Sequence, residues 1–185
     1  MKRVALLDVD GTLVDSNDAH ARSWVQAIEE SGRHVDYERV RKRIGEGGDK
    51  LLPETTGVDT ESPEGKRIAA RRAEIFRRDY LPKLRAFDGA RDLLLALRAR
   101  DFALVVATSA PAEEMSSVLK QTGLLDLIHR AASSSDAKQS KPDPDIVLAA
   151  LRTVHSAPED AVMLGDTPYD VEAARKAGVA IVCLR

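Results

Sequence analysis

The sequence predicts an α/β fold: a doubly wound parallel sheet carrying an inserted all-helical domain. Three observations lead there. Five short apolar runs, Arg3–Leu7, Ala103–Ala107, Leu127–Ala131, Ala161–Leu164 and Val179–Leu184, are continuous rather than alternating. That is the pattern of strands covered by helices on both faces. From about residue 88 onward these runs alternate with helical patterns, as in a doubly wound domain. Between Val14 and Phe87 the pattern is helical throughout, too long for a simple crossover and without a convincing strand.

The elements follow in order. The first strand, Arg3–Leu7, stops at Asp8. The insert is entered near Asp15-Ser16 and left near Leu81–Phe87, with helices expected at Asp18–Glu30, Asp36–Arg43, Asp49–Thr55 and Pro63–Tyr80. The domains are therefore expected at 1–14 plus 86–185 for the α/β core and 15–85 for the helical insert. In the core, helices are expected at Gly89–Arg100, Pro111–Gln121, Asp143–Val154 and Tyr169–Ala177. Pro111, after Ser109-Ala110, marks a helix start, and Gly123 and Gly178 fit helix ends. No internal repeat or low-complexity tract interrupts the chain.

A chain of 185 residues is long enough for a full core and for one domain with a large insertion. The formal net charge of -2 gives no reason to expect nucleic acid or an anionic membrane as partner. Only 4% of residues are aromatic, too few for a base-stacking platform. The single cysteine, Cys183, excludes an intrachain disulfide and lies in an apolar run, so a buried, inert thiol is expected. After Met1-Lys2-Arg3 the apolar stretch Val4–Leu7 is too short for a signal peptide, and no run reaches membrane-spanning length. A cytoplasmic monomer or homodimer is expected.

The chemistry-bearing residues stand at strand ends. Asp8-Val9-Asp10-Gly11-Thr12-Leu13 follows the first run directly. Residues two apart in extended chain point the same way, so Asp8 and Asp10 converge at the carboxyl end of a strand, where α/β sheets bind ligands. Gly11 permits a sharp turn that brings N–H groups close to an anion. Thr108-Ser109 follows the second run, just before a helix start, and offers hydroxyls and amides to phosphate oxygens. Lys141 sits between Ser140 and Pro142 in a loop that two prolines keep outside a helix. Gly165-Asp166-Thr167-Pro168-Tyr169-Asp170 follows the fourth run and adds two carboxylates, donors that suit Mg²⁺. Each piece alone has an ordinary reading, as a turn, a cap or a solvated lysine; their order along the chain is what is specific.

Together these residues resemble the four motifs of the haloacid-dehalogenase-like hydrolase superfamily, from Arg3 to Leu184, in the branch of phosphoglycolate-phosphatase-like and β-phosphoglucomutase-like members with an inserted helical cap. The resemblance implies a Rossmann-like core and a Mg²⁺-dependent phosphohydrolase acting on a small phosphorylated metabolite. It implies that Asp8 is the nucleophile that accepts the phosphoryl group and that Asp10 is the general acid and base. It places Mg²⁺ on the Asp8 carboxylate, the Asp10 main-chain carbonyl and the Asp166 carboxylate, with Asp170 behind them orienting a water or Lys141. Thr108, the Ser109 amide and Lys141 hold the transferring group. An acid at position 10 is what phosphatases and phosphomutases share and dehalogenases lack. Members of this kind usually continue past the fifth strand with another strand and helix, whereas the four motifs here are complete by Asp170, so the departure bears on the sheet edge and not on the chemistry.

Within the insert, the loop Gly45-Glu46-Gly47-Gly48-Asp49-Lys50 is the expected substrate-facing segment, with Gly47 and Lys50 as its contacts. His20 and Trp24, four apart, share a helix face, and His20 is expected to touch substrate or position Asp10. His34, His129 and His155 have no ligand spacing. The arginine-rich segments Arg39–Arg43 and Arg67–Arg78 are read as solvated faces. A β-phosphoglucomutase-like phosphomutase is the alternative. It needs a cationic loop, whereas this one holds Glu46, Asp49 and one base, Lys50. A phospho-accepting signalling domain is disfavoured because it is a shorter chain with no interrupting cap, whereas here the Asp-x-Asp-Gly-Thr pattern begins at residue 8.

Overall fold

The computed structural model describes residues 3–184; Met1, Lys2 and Arg185 lie outside the described residues. Strands β1 (Val4–Leu7), β2 (Ala103–Ala107), β3 (Arg130–Ala132), β4 (Ala161–Gly165) and β5 (Ala180–Cys183) form one sheet in the order β3-β2-β1-β4-β5. All neighbours are parallel, with Leu6 opposite Val105 on one side and Met163 on the other. The chain builds leftward from β1 to β3, then crosses to β4. The strand order therefore reverses at β1 and β4, the crevice where open α/β sheets bind ligands.

Period-two alternation sorts each central strand onto two cores. Val4, Leu6, Val105 and Met163 pack beneath α7 (Asp145–Thr153) and α8 (Pro168–Lys176). Ala5, Leu7, Leu104 and Val106 pack beneath α5 (Ala90–Arg98) and α6 (Ala112–Gln121). Both faces are covered, which is why these runs read as continuously apolar. The predicted glycine stops hold: Gly123 and Gly178 have φ of 69° and 74°, the left-handed conformation that closes a helix.

The insert has a core of its own. Helices α1 (Asn17–Glu30), α2 (Tyr37–Arg41), α3 (Gly48–Thr56) and α4 (Pro63–Ile75) enclose Trp24, Ile28, Val40, Leu52 and Ile68, with α1 lying along α4. Ser62 caps α4 by accepting from the Gly65 amide, and Pro63 supplies the favoured first position. No helix among the described residues is long and apolar enough to cross a membrane.

Three expectations need correction. The third apolar run begins as a tight 3₁₀ turn, Leu125–Leu127, and pairing with β2 starts only at Arg130. Leu127 is buried from that turn, so its apolar character marks the core and not a strand. The helix expected over Pro63–Tyr80 is α-helical only to Ile75; Phe76–Tyr80 form a wider π-helical turn. Cys183 is exposed, not buried. It lies on β5, at the edge of the sheet, where Val182 is also 53% exposed.

Candidate active site

Asp8, Thr108 and Asp166 follow β1, β2 and β4, three adjacent strands, so their side chains converge at one end of the sheet. Asp8 is buried, and its amide donates to Leu164 O across the β1–β4 gap, fixing the position of its backbone. Lys141, fully buried, reaches it from the loop before α7, with Nζ 2.5 Å from Asp8 Oδ1 and 2.7 Å from Asp170 Oδ1. The Lys141–Pro142 peptide bond is cis. Burial opposes the charge on Lys141, but Asp170 and Asp8 outweigh it and hold its pKa above the ordinary value. Burial pushes the Asp8 carboxyl well up; Lys141 pulls the other way, and Asp170 and Asp10 add repulsion.

Asp170 is held by its own helix. Thr167 caps α8 and forms a capping box, in which the Thr167 amide and hydroxyl donate to Asp170 Oδ2 at 3.0 and 2.6 Å. That leaves Oδ1 turned towards Lys141. Asp166 is steadied by Thr12 Oγ1 on Oδ1 and Asn17 Nδ2 on Oδ2, at 3.1 and 3.0 Å. Burial raises its pKa, Asn17 and Thr12 lower it, and Asp170 adds to the rise. Gly11, at φ 82°, is where the backbone passes closest: a Cβ there would overlap Asn17 and Asp166. Its amide, expected to face an anion, instead donates to Val14 O at 2.8 Å and closes the turn. The glycine is required for space, not for a donor.

One oxygen each from Asp8, Asp166 and Asp170 lie within 4.8 Å of one another. Three hard oxygen donors, with Lys141 as the buried cation among them, suit a small divalent cation. Burial does most to raise Asp8 and Asp166, and the like-charge repulsion that adds to it is what such an ion would relieve.

Asp10 faces the insert. Its Oδ1 accepts from Ser16 Oγ at 2.6 Å and lies 2.7 Å from His20 Nε2. Arg72 bonds His20 Nδ1, and since a guanidinium only donates, Nε2 must carry the proton offered to Asp10. Burial opposes ionisation of Asp10, but His20, Ser16 and Arg72 outweigh it and bring its pKa down to about 2. Phe76, set by the π-helical turn, stacks on the His20 ring at 4.3 Å.

A cavity of about 550 Å³ lies over these groups, between core and insert. Asp8, Asp10, His20, Thr108 and Ser109 line it, as do Trp24, Arg72 and Glu114. Ser109 Oγ donates to Gly45 O at 3.2 Å, and Thr108 Oγ1 accepts from the Ala110 amide. Of the predicted loop contacts, Gly47 and Lys50 are directed elsewhere. The Gly47 amide donates to Ser140 Oγ at 3.1 Å, and Lys50 Nζ lies 2.5 Å from Asp143 Oδ2 and 2.9 Å from Ser140 O. An ammonium so paired ties the insert to the loop of Lys141. Arg72, expected on a solvated face, is buried.

Residues 5–184 match the model of the haloacid dehalogenase-like hydrolases, and the chain belongs to that family. It is 29% identical over 187 residues to the phosphoglycolate phosphatase of Nitrosospira multiformis, covering 98% of this chain and 82% of that one. The identity is also 29% with the validoxylamine A 7'-phosphate phosphatase of Streptomyces hygroscopicus subsp. limoneus, over 100% of this chain and 86% of the relative. A hydrolase structure from Pseudomonas syringae superposes with a TM-score of 0.90 at 25% identity, over 99% of this chain and 84% of that one.

Proposed function

We propose that the chain hydrolyses small phosphomonoesters with Mg²⁺, carrying the phosphoryl group on Asp8, and that residues 15–85 act as a cap over the reaction. The observation that supports this most is the clamp on Asp8: a buried carboxylate that lines the cavity, held from behind by a fully buried lysine and set beside two further carboxylates. Asp8 Oδ attacks phosphorus and the ester oxygen departs, taking a proton from Asp10. Water then attacks phosphorus of the aspartyl phosphate, gives a proton to Asp10 and frees phosphate. Asp10 is ionised in the resting site; a phosphoryl dianion bound beside it opposes that ionisation, so Asp10 takes up a proton from solvent as substrate binds and gives that proton to the leaving oxygen. His20 and Ser16 fix its orientation.

Asp8 and Asp166 would hold Mg²⁺, with the Asp10 carbonyl as the further ligand implied by the family, and Asp170, its oxygens engaged by Thr167 and Lys141, would stand behind them. When bound, the ion neutralises charge on the transferring group. Lys141 and Thr108 steady the same oxygens. A phosphomutase needs a free cation in the cap loop, and Lys50 is engaged with Asp143. Hydrolysis is therefore the favoured outcome.

The test is phosphate release from a panel of small phosphomonoesters with Mg²⁺, with EDTA, and with Ca²⁺ in place of Mg²⁺. Release is expected with Mg²⁺ alone, because Ca²⁺ favours more ligands and looser geometry. Equal turnover with Ca²⁺ or EDTA would contradict the proposed site.

Lys50→Met tests the tie between cap and core. A partly exposed ion pair contributes at most about 1 kcal/mol, so kcat/KM is expected to fall by about fivefold or less. The fall should be similar for every substrate, because the ammonium contacts the Lys141 loop and not a leaving group. A reordered substrate ranking would return Lys50 to the role first read from the sequence.

A further inference from the structure

The wall of the cavity carries a charge pair that bridges insert and core. Arg72 Nη1, from α4, lies 2.6 Å from Glu114 Oε2 on α6, and the two side chains are only 9% and 12% exposed. The guanidinium also sits over the rings of Trp24 and Phe76, 5.4 and 5.0 Å from their centroids, and bonds His20. Its Nε is buried and has no hydrogen-bond partner. Because Arg72 and Glu114 both line the cavity, a ligand group at this edge meets the guanidinium and the carboxylate together.

The charge at this edge limits what that group is. A substrate carboxylate on Arg72 would lie beside Glu114, and like charges in a poorly solvated site repel strongly. The other arginine lining the cavity, Arg77, is mostly exposed and lies 3.4 Å from Glu113; Lys138 is exposed at the rim. Among the described lining residues, then, no buried cation remains for a second anionic group. A hydroxyl avoids the conflict, since it accepts from Arg72 and donates to Glu114 at the same time. At about 550 Å³ the cavity also falls in the roughly 300–1,000 Å³ range of sites that enclose drug-sized ligands, far more than a two-carbon acid fills.

Resting on the phosphatase reading above, we propose that the substrates are phosphate esters of neutral, sugar-sized polyols, and that the Arg72–Glu114 pair selects hydroxyls against carboxylates in the leaving group. The test compares kcat/KM for hexose and pentose phosphates, phosphoglycolate and p-nitrophenyl phosphate. The wild-type protein is expected to favour the sugar phosphates over phosphoglycolate by on the order of tenfold or more. Phosphoglycolate cleaved as well as the sugar phosphates would overturn this inference and leave the phosphatase reading standing. Failure to cleave any ester, p-nitrophenyl phosphate included, would overturn that reading and this inference with it. Glu114→Gln keeps the shape and an acceptor for Arg72 but removes the charge, so phosphoglycolate should gain on the sugar phosphates. An unchanged ratio in a variant with a cooperative thermal melt overturns the selective role of the pair. Should that variant not fold, the wild-type ratio still decides the substrate class.

Discussion

Asp8→Asn is expected to bring turnover below detection in a protein that is folded and no less stable than the wild type. The amide is a poor nucleophile and withdraws one of the three oxygens of the carboxylate cluster. Removal of a covalent nucleophile elsewhere costs on the order of 10⁶-fold in kcat. Stability should move the other way. The Asp8 carboxyl is pushed well above its ordinary range by burial, Lys141 notwithstanding, so its ionisation opposes folding near neutral pH. Asparagine carries no such charge, yet its oxygen still accepts from Lys141. Phosphate release and a thermal melt on one preparation check both halves. An inactive variant that is also unfolded would leave the catalytic assignment without support, and a variant with near wild-type turnover would refute it.

Lys141→Met is the more damaging change for stability. It conserves length but strips the counter-charge from two buried carboxylates, Asp8 and Asp170. Breaking a buried pair in this way typically costs about 3–5 kcal/mol. The loss should depend on pH with a definite sign. Without the ammonium, the folded-state pKa of Asp8 lies still further above its unfolded value, so the folded state holds the proton more tightly. Stability then falls as pH rises from the unfolded carboxyl range towards the folded value. The deficit against wild type is expected to be greater at pH 8 than at pH 4.5, as measured by urea unfolding. Turnover of every phosphomonoester should drop by at least ~10²-fold, the typical effect of losing one donor to developing charge. A substrate-selective loss would mean that Lys141 contacts something other than the shared phosphoryl group.

Much of the sheet and the floor of the site could be read from the chain, for a definable reason. Asp8, Thr108 and Asp166 each follow an apolar run that is buried on both faces, so the run locates the strand end and the polar residue locates the ligand side. What failed depended on the assembled molecule. Leu127 is apolar because a 3₁₀ turn buries it, and nothing local separates that from a strand. Cys183 is exposed because β5 is an edge, a property of strand order and not of composition. Arg72 reads as solvated beside Arg71, and only the packing of α1 against α4 turns it onto His20 and Glu114. Ser16 and Asn17 look like an ordinary helix start, yet they hold Asp10 and Asp166. Lys50 reads as a substrate contact because its glycine-rich loop permits close approach; its partner Asp143 is 93 residues away in sequence.

The stereochemical course at phosphorus tests the central claim most directly. A phosphorothioate monoester made chiral at phosphorus with two isotopes of oxygen, cleaved in water of the third, gives a chiral thiophosphate that reports how many in-line displacements occur. Transfer to Asp8 and then to water is two displacements, each inverting the centre, so the account predicts net retention. Net inversion would mean that water attacks the ester directly, and that Asp8 positions the reaction without ever carrying the phosphoryl group.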